Sequence, residues 1–236
     1  MLKLPRLSTT VVLHTFPLKF DTDMLLRETP LDGGIIKIEK RGILRRGESK
    51  RDKIKRRNPK PVASSGFGHN SVTTVIMTNG DGTQVMKEIT VKIFHNGVFH
   101  MTGVLHPSYE TSVLQILREK IPAACLKEGG GWDAGESTRR VLLMNFSTAF
   151  EGDPKISRVA LQRYFQGQGI QAEFEPDVSP CVKVVFPETR WTACIFRTGK
   201  INLTALKSHE DCARFTEILQ EHLRAYLATA ATAATA

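Results

Sequence analysis

No stretch of the 236-residue chain approaches the roughly 18 uninterrupted apolar residues that a membrane helix needs, and the N-terminus MLKLPRLSTT lacks the apolar core of a secretory signal. A soluble protein with no membrane partner, retained inside a cell, is expected. Cysteine is scarce: Cys125, Cys181, Cys194 and Cys212 stand 56, 13 and 18 residues apart, which fits neither a CxxC metal knuckle nor a dense disulfide framework. Reduced core or strand residues are the reading. No glycine-rich phosphate loop is present, since Gly129-Gly130-Gly131 lacks a following Lys-Ser/Thr and Gly80-Asp81-Gly82 reads as a tight turn. The seven histidines, among them His95 and His100, have no metal-ligand spacing. Asp21, Asp23 and Glu28 lie where solvated acids ordinarily favour a helix start. No catalytic residue, metal, cofactor or small-molecule substrate is expected.

What is present begins with 41% hydrophobic residues, enough to fill a core, and a net charge of +9. The charge is concentrated. Between Lys37 and Lys60 stand 12 Lys and Arg against Glu39, Glu48 and Asp52, which leaves 21 basic and 21 acidic side chains elsewhere. A basic arm on a neutral body follows, with Lys40, Arg41, Arg45, Arg46, Lys50, Arg51, Lys53, Lys55, Arg56, Arg57 and Lys60 as phosphate contacts. Its composition resembles segments that order on binding, and it equally fits a nuclear localisation signal.

An internal repeat sets the architecture. Ile93 to Gly103 reads IFHNGVFHMTG and Ile195 to Ala205 reads IFRTGKINLTA, so Phe94, Gly97 and Thr102 recur as Phe196, Gly199 and Thr204, each 102 residues on. Each copy has the alternation and glycine turn of a β-hairpin. A helix pattern follows both: Ser108 as cap with Val113, Leu117 and Ile121 on one face, then Ser208 and Asp211 as a capping box with a longer stripe from Cys212 to Tyr226.

Upstream of each hairpin a strand, a short helix and a further strand are expected. These are Thr9 to Phe16, Asp21 to Arg27 and Gly34 to Ile38, then Arg140 to Phe150, Ile156 to Phe165 and Cys181 to Phe186. The first half carries extra material, namely the basic insertion and an added strand at Ser71 to Thr78. The boundaries read as 1–127 with the insertion at 39–70, a linker at 128–137, a second repeat at 138–228 and an Ala/Thr tail at 229–236.

Alternation assigns faces. Ile89, Val91, Ile93, Phe99 and Met101 belong to the core, and Thr90, Lys92, Phe94, His100 and Thr102 to the opposite face. In the second hairpin Trp191, Ala193 and Ile195 point inward, while Arg190, Thr192, Cys194 and Phe196 join Asn202 and Thr204 outside. Two phenylalanines at matched positions of a polar face have the character of rings that stack on bases or wedge between base steps.

The doubled IF-x-x-G-x-x-x-x-T-[GA] hairpin, each followed by a helix, resembles the TATA-box-binding protein family. The basic insertion before S-V-T-T-V-I is most similar to the divergent versions encoded by nucleocytoplasmic large DNA viruses. The resemblance implies an α+β fold of two pseudosymmetric repeats, forming a curved antiparallel sheet or saddle with helices on its convex face. It implies double-stranded DNA as partner, held by minor-groove contact, with transcription-initiation proteins or viral RNA polymerase machinery on the helices. Phe94 and Phe196 match the family's kinking rings, Thr102 and Thr204 its central threonines, and Asn145 its base-contacting asparagine, replaced in the first repeat by Thr9. Lys92, Arg190 and Asn202 flank this face. The second ring of each kinking pair is replaced by Ser179 and by Gly33 or its neighbours, which implies relaxed TATA specificity. The resemblance implies a location in the host nucleus or a cytoplasmic viral factory, with packaging in the virion as a further expectation. The same fold without promoter selectivity would serve as a structural or adaptor protein.

Overall fold

The computed structural model describes residues 1–55, 70–128, 132, 137–152 and 156–234, with the side chains of 53–55 and 230–234 excepted. They form two compact units, Val11–Leu142 and Leu143–Ala236 together with Met1–Thr10. The first ten residues therefore fold with the C-terminal unit, where the sequence placed them with the first repeat. Lys3 donates its N–H to Ala149 O at 2.8 Å, Leu2 pairs with Phe150, and the Leu2 N–H reaches Gln220 Oε1 at 2.9 Å.

The unit Val11–Leu142 takes the second half of β1 (Arg6–Thr15) and continues through β2 (Lys19–Phe20), α1 (Thr22–Glu28), β3 (Ile35–Lys40), β4 (Leu44–Gly47) and α2 (Lys50–Lys55). Then come β5 (Ser71–Thr78), β6 (Lys87–Phe94), β7 (Val98–Val104), α3 (Pro107–Lys120), a 3-10 turn (Ala123–Cys125) and β8 (Leu126–Glu128). Its antiparallel sheet runs β1-β7-β6-β5-β3-β4, and β2 pairs with β8. The other unit holds most of β9 (Thr138–Ala149), then α4 (Arg158–Gly167), β10 (Gln171–Glu173), β11 (Cys181–Val185), β12 (Thr192–Phe196), β13 (Lys200–Leu206) and α5 (His209–Ala234). Its sheet runs β10-β11-β12-β13-β9-β1. The architecture is α+β, antiparallel strands backed by helices.

The helices start where side chains replace missing backbone acceptors. Asp21 accepts the N–H groups of Asp23 and Met24 at 2.9 and 3.0 Å, and Ser208 accepts that of Asp211 at 3.0 Å while Asp211 reaches back to the Lys207 N–H at 2.8 Å. The cap of α3 is His106, whose ring accepts the Ser108 N–H, with Pro107 at the first helical position. Ser108, expected as the cap, lies two positions inside it. The tail expected at 229–236 continues α5 to Ala234.

The inward set holds. Ile89, Val91, Ile93, Phe99 and Met101 are buried under α1 and α3, as are Trp191, Ala193 and Ile195 under the C-terminal helices. Each Val, Ile, Phe and Met among them contributes about 1.5–3 kcal/mol by leaving water. Trp132, within the expected linker, packs its indole 5.6, 5.7 and 5.9 Å from the rings of Phe16, Phe20 and Phe99, so this side chain closes the first core.

Pairing also corrects the repeat. Ser71 lies opposite Phe94 as Cys181 lies opposite Phe196, which makes β5 the counterpart of β11 and no addition. The caps Asp21 and Ser157, and the positive-φ glycines Gly33 and Gly169, fix an offset of 136 residues for the earlier elements, so β3 matches β10. The added elements are β4 and α2. By the 110-residue offset of Ser71 and Cys181, the counterpart of Ser179 is His69, outside the described residues, and not Gly33.

Candidate nucleic-acid interface

Two polar sheet faces repeat one another residue for residue. On the first, Thr90 stands opposite Thr102, Lys92 opposite His100 and Phe94 opposite Ser71. On the second, Thr192 stands opposite Thr204, Cys194 opposite Asn202 and Phe196 opposite Cys181. Both phenylalanines and both inner threonines are half-buried, and Lys92 and Asn202 are exposed. Gly97 and Gly199 turn the hairpin tips at φ +81° and +73°. Gly103 and Ala205, the residues after Thr102 and Thr204, also share a positive φ, +104° and +67°, so a matched kink follows each threonine.

Electrostatics differ between the faces. Burial and the Lys92 ammonium both lower the pKa of His100, which leaves its ring neutral at pH 7. In the second hairpin Cys194 takes the place of Lys92, and burial foremost, with the neighbouring Cys181 thiol, pushes it up to about 11. Ser179 Oγ sits 3.2 Å from Cys181 Sγ, so two thiols and a hydroxyl occupy the surroundings of Phe196 where the resemblance implies a second ring.

The residues expected to meet bases from the strands outside the hairpins, Thr9 on β1 and Asn145 on β9, fold into the same unit. Thr9 Oγ1 and Asn145 Oδ1 are each buried without a hydrogen-bond partner. An orphaned buried oxygen costs about 1–3 kcal/mol. Ser8 Oγ binds the Asn145 carbonyl at 2.9 Å and holds the two strands in register there. Arg190 departs from the alternation: it closes the turn before β12 at φ +64°, its N–H on Phe186 O, and is exposed.

The basic arm is corrected most. Lys40 is buried, its Nζ 2.9 Å from Thr22 Oγ1 and 2.8 Å from Asp23 Oδ1. Arg46 donates to the carbonyls of Leu26, Arg27 and Thr29 at 3.1, 2.7 and 3.0 Å, which caps the end of α1. Arg45 lies 3.1 Å from Asp52. These cations hold the insertion against the body and are occupied. Arg41, Lys50 and Arg51 have exposed side chains. The side chains of Lys53 and Lys55, and all of Arg56, Arg57 and Lys60, lie outside what the structure describes.

A buried ion cluster has no signal in the sequence. His14 Nε2 is 2.6 Å from Glu110 Oε1, and Arg139 donates to both Glu110 oxygens at 2.6 and 3.1 Å. Burial would raise the Glu110 pKa, but His14 and Arg139 more than offset it and hold the group below the usual carboxylate range. Nothing marks three residues so far apart in sequence as neighbours. Among the described residues no cluster of three His, Cys, Asp or Glu could hold a metal, and no helix is long and apolar enough to cross a membrane.

With the doubled hairpin-and-helix geometry in place, the comparisons are specific. The solved structure of Methanococcus jannaschii TBP is similar over 94% of this chain and 99% of its own, with a TM-score of 0.55 and 15% sequence identity. The fold is that of TBP. Residues 155–226, which carry α4 through most of α5, match the family model described as transcription factor TFIID (or TATA-binding protein, TBP). No curated protein matches. The TBP-like fold accounts for the matched hairpins, and the β4–α2 insertion is a feature of the first half alone.

Proposed function

We propose that the protein is a non-catalytic, DNA-binding transcription-initiation factor that meets the minor groove of promoter DNA with its two polar sheet faces. The observation that carries this reading is the placement of Phe94 and Phe196 at equivalent half-exposed positions, each two registers from a Thr–Thr pair. A ring inserted between base steps replaces part of the stacking lost on kinking, and a side-chain hydroxyl reads the acceptors of the minor groove.

With Ser179 and His69 where the resemblance has second rings, less apolar area offsets unstacking, and selectivity for A·T steps is weaker. The insertion's resemblance to the versions of large DNA viruses supports a virus-encoded factor, working with a viral polymerase in the host nucleus or a cytoplasmic factory.

The test is fluorescence anisotropy of A·T-rich and G·C-rich duplexes at two salt concentrations, with the Phe94→Ala/Phe196→Ala variant alongside. An A·T preference that survives the higher salt and falls in the variant supports the reading; equal, salt-labile binding untouched by the variant overturns it. A structural or adaptor role is favoured by one observation, the acidic groups Glu39, Asp52 and Glu88 on the first face, which oppose phosphate.

A further inference from the structure

We propose that Glu48–Asp52, leading into α2, is a built-in strap that closes part of the first polar face against duplex DNA; this rests on the reading above. The chain leaves the edge strand β4 at Gly47, φ +74°, where a Cβ would run into the Ile36 carbonyl. It then crosses onto the outward face. Lys37, Val75 and Thr90 share that face by register, as do Glu39, Thr73 and Lys92. On this outward face Lys37 and Val75 are nonetheless only 4% exposed. What lies over Lys37 is Asp52: its carboxylate takes the Lys37 ammonium at 3.0 Å, the Ser49 N–H and hydroxyl at 2.9 and 2.7 Å, and the Arg45 guanidinium at 3.1 Å. One strand further in, Glu88 on β6 accepts the Lys50 N–H at 2.9 Å.

Among the described residues the second half shows the same face without a strap. Glu173 and Lys183, the counterparts of Lys37 and Thr73, have side chains 52% and 51% exposed. A helix is about 10 Å across, so a duplex cannot lie on β3 and β5 while α2 is seated there. The strap is held by a buried ion pair and its hydrogen bonds on the face it covers, which makes opening a discrete step. Apparent affinity is then reduced by the fraction of molecules that are open.

Asp52→Ala and Lys37→Ala both remove the latch, but they change the charge of the face in opposite directions. Hydrogen exchange reads the strap directly at the Ser49 and Asp52 amides, which donate to Asp52 Oδ2 and Ser49 O. The expected result is at least about tenfold faster exchange at these two amides in both variants, with the rest of the sheet protected. It is accompanied by about tenfold or more tighter anisotropy binding to a 20-base-pair A·T-rich duplex in both. Exchange that stays slow overturns the latch. Faster exchange with unchanged or weaker binding overturns the closure. Tighter binding in Asp52→Ala with weaker binding in Lys37→Ala assigns the effect to charge and also overturns it. If neither variant nor the parent protein binds any duplex while exchange accelerates, the DNA-binding reading itself has failed and the closure with it.

Discussion

Ala205 occupies a left-handed conformation, φ +67°, that its counterpart Gly103 adopts without a Cβ penalty. Such a conformation costs an L residue roughly 1–2 kcal/mol, part of which glycine returns as chain entropy. Ala205→Gly is therefore expected to raise stability by up to about 1 kcal/mol, and Gly103→Ala to lower it, both read by urea unfolding. Removing Glu110 leaves His14 buried without its partner and frees Arg139. Glu110→Ala is expected to cost about 2–4 kcal/mol, whereas a loss below 0.5 kcal/mol would show that the cluster stabilises nothing. The thiols give a chemical test. Burial raises Cys125 and Cys194 to about 11, so alkylation by iodoacetamide should be slow at pH 7.5 and rise about tenfold per pH unit to pH 10, with half-exposed Cys194 modified before buried Cys125. Mass spectrometry of a time course decides it.

At the scale of elements, the hairpins were legible because two local signals coincide in each: a glycine where positive φ is needed, and strict alternation on both sides. The turn is more constrained than the sequence suggests. A Cβ on Gly97 would run into the carbonyls of Phe16 and Leu18, which pack behind the tip. Gly97→Ala is expected to destabilise by at least about 2 kcal/mol in denaturant titration, beyond the cost of φ alone. The insertion was not legible, for an opposite reason. A run such as KRGILRRGESKRDK reads as solvated charge, and nothing local reveals that Lys37, beside its near neighbour Glu39, also reaches Asp52 fifteen residues on, or that Arg46 spans back to three carbonyls at the end of α1. Added strand β4 is short and half-charged, while β5 has the stronger β-propensity and so was mistaken for the addition. Ser108 reads as a cap in the sequence, but a histidine ring fills that role two positions earlier.

For the whole molecule, the acid side of the stability curve carries a signature. Asp52 is lowered from 3.8 to about 2: burial opposes the ionised form, and Ser49 and Lys37 more than restore it. Glu110 is lowered as well. A carboxylate with a depressed folded pKa contributes stability that is complete above its unfolded pKa and is lost as pH falls through the folded one. Melting temperature should thus decline modestly as pH falls through about 6.5, where the lowered pKa of His100 disfavours its protonation in the folded state, and fall steeply between about pH 4 and 2. In Asp52→Ala and Glu110→Ala that fall should be shallower, and an equally steep one would reject these two groups as its source.

The partition of the chain also governs the order in which it can fold. Met1–Thr10 belongs to a unit completed by Leu143–Ala236, with Leu2 bridged to Phe150 and hydrogen-bonded to Gln220. Closing so long a loop is entropically costly before any contact repays it, and pairing across such separations is slow. During synthesis Met1–Thr10 must wait for Leu143–Ala236 before it can find its place, while Val11–Leu142 has all its strands available earlier. The strand-forming first half of β1 is then open to pairing with a second nascent chain, so the length of that wait sets the exposure of this protein to swapped dimers.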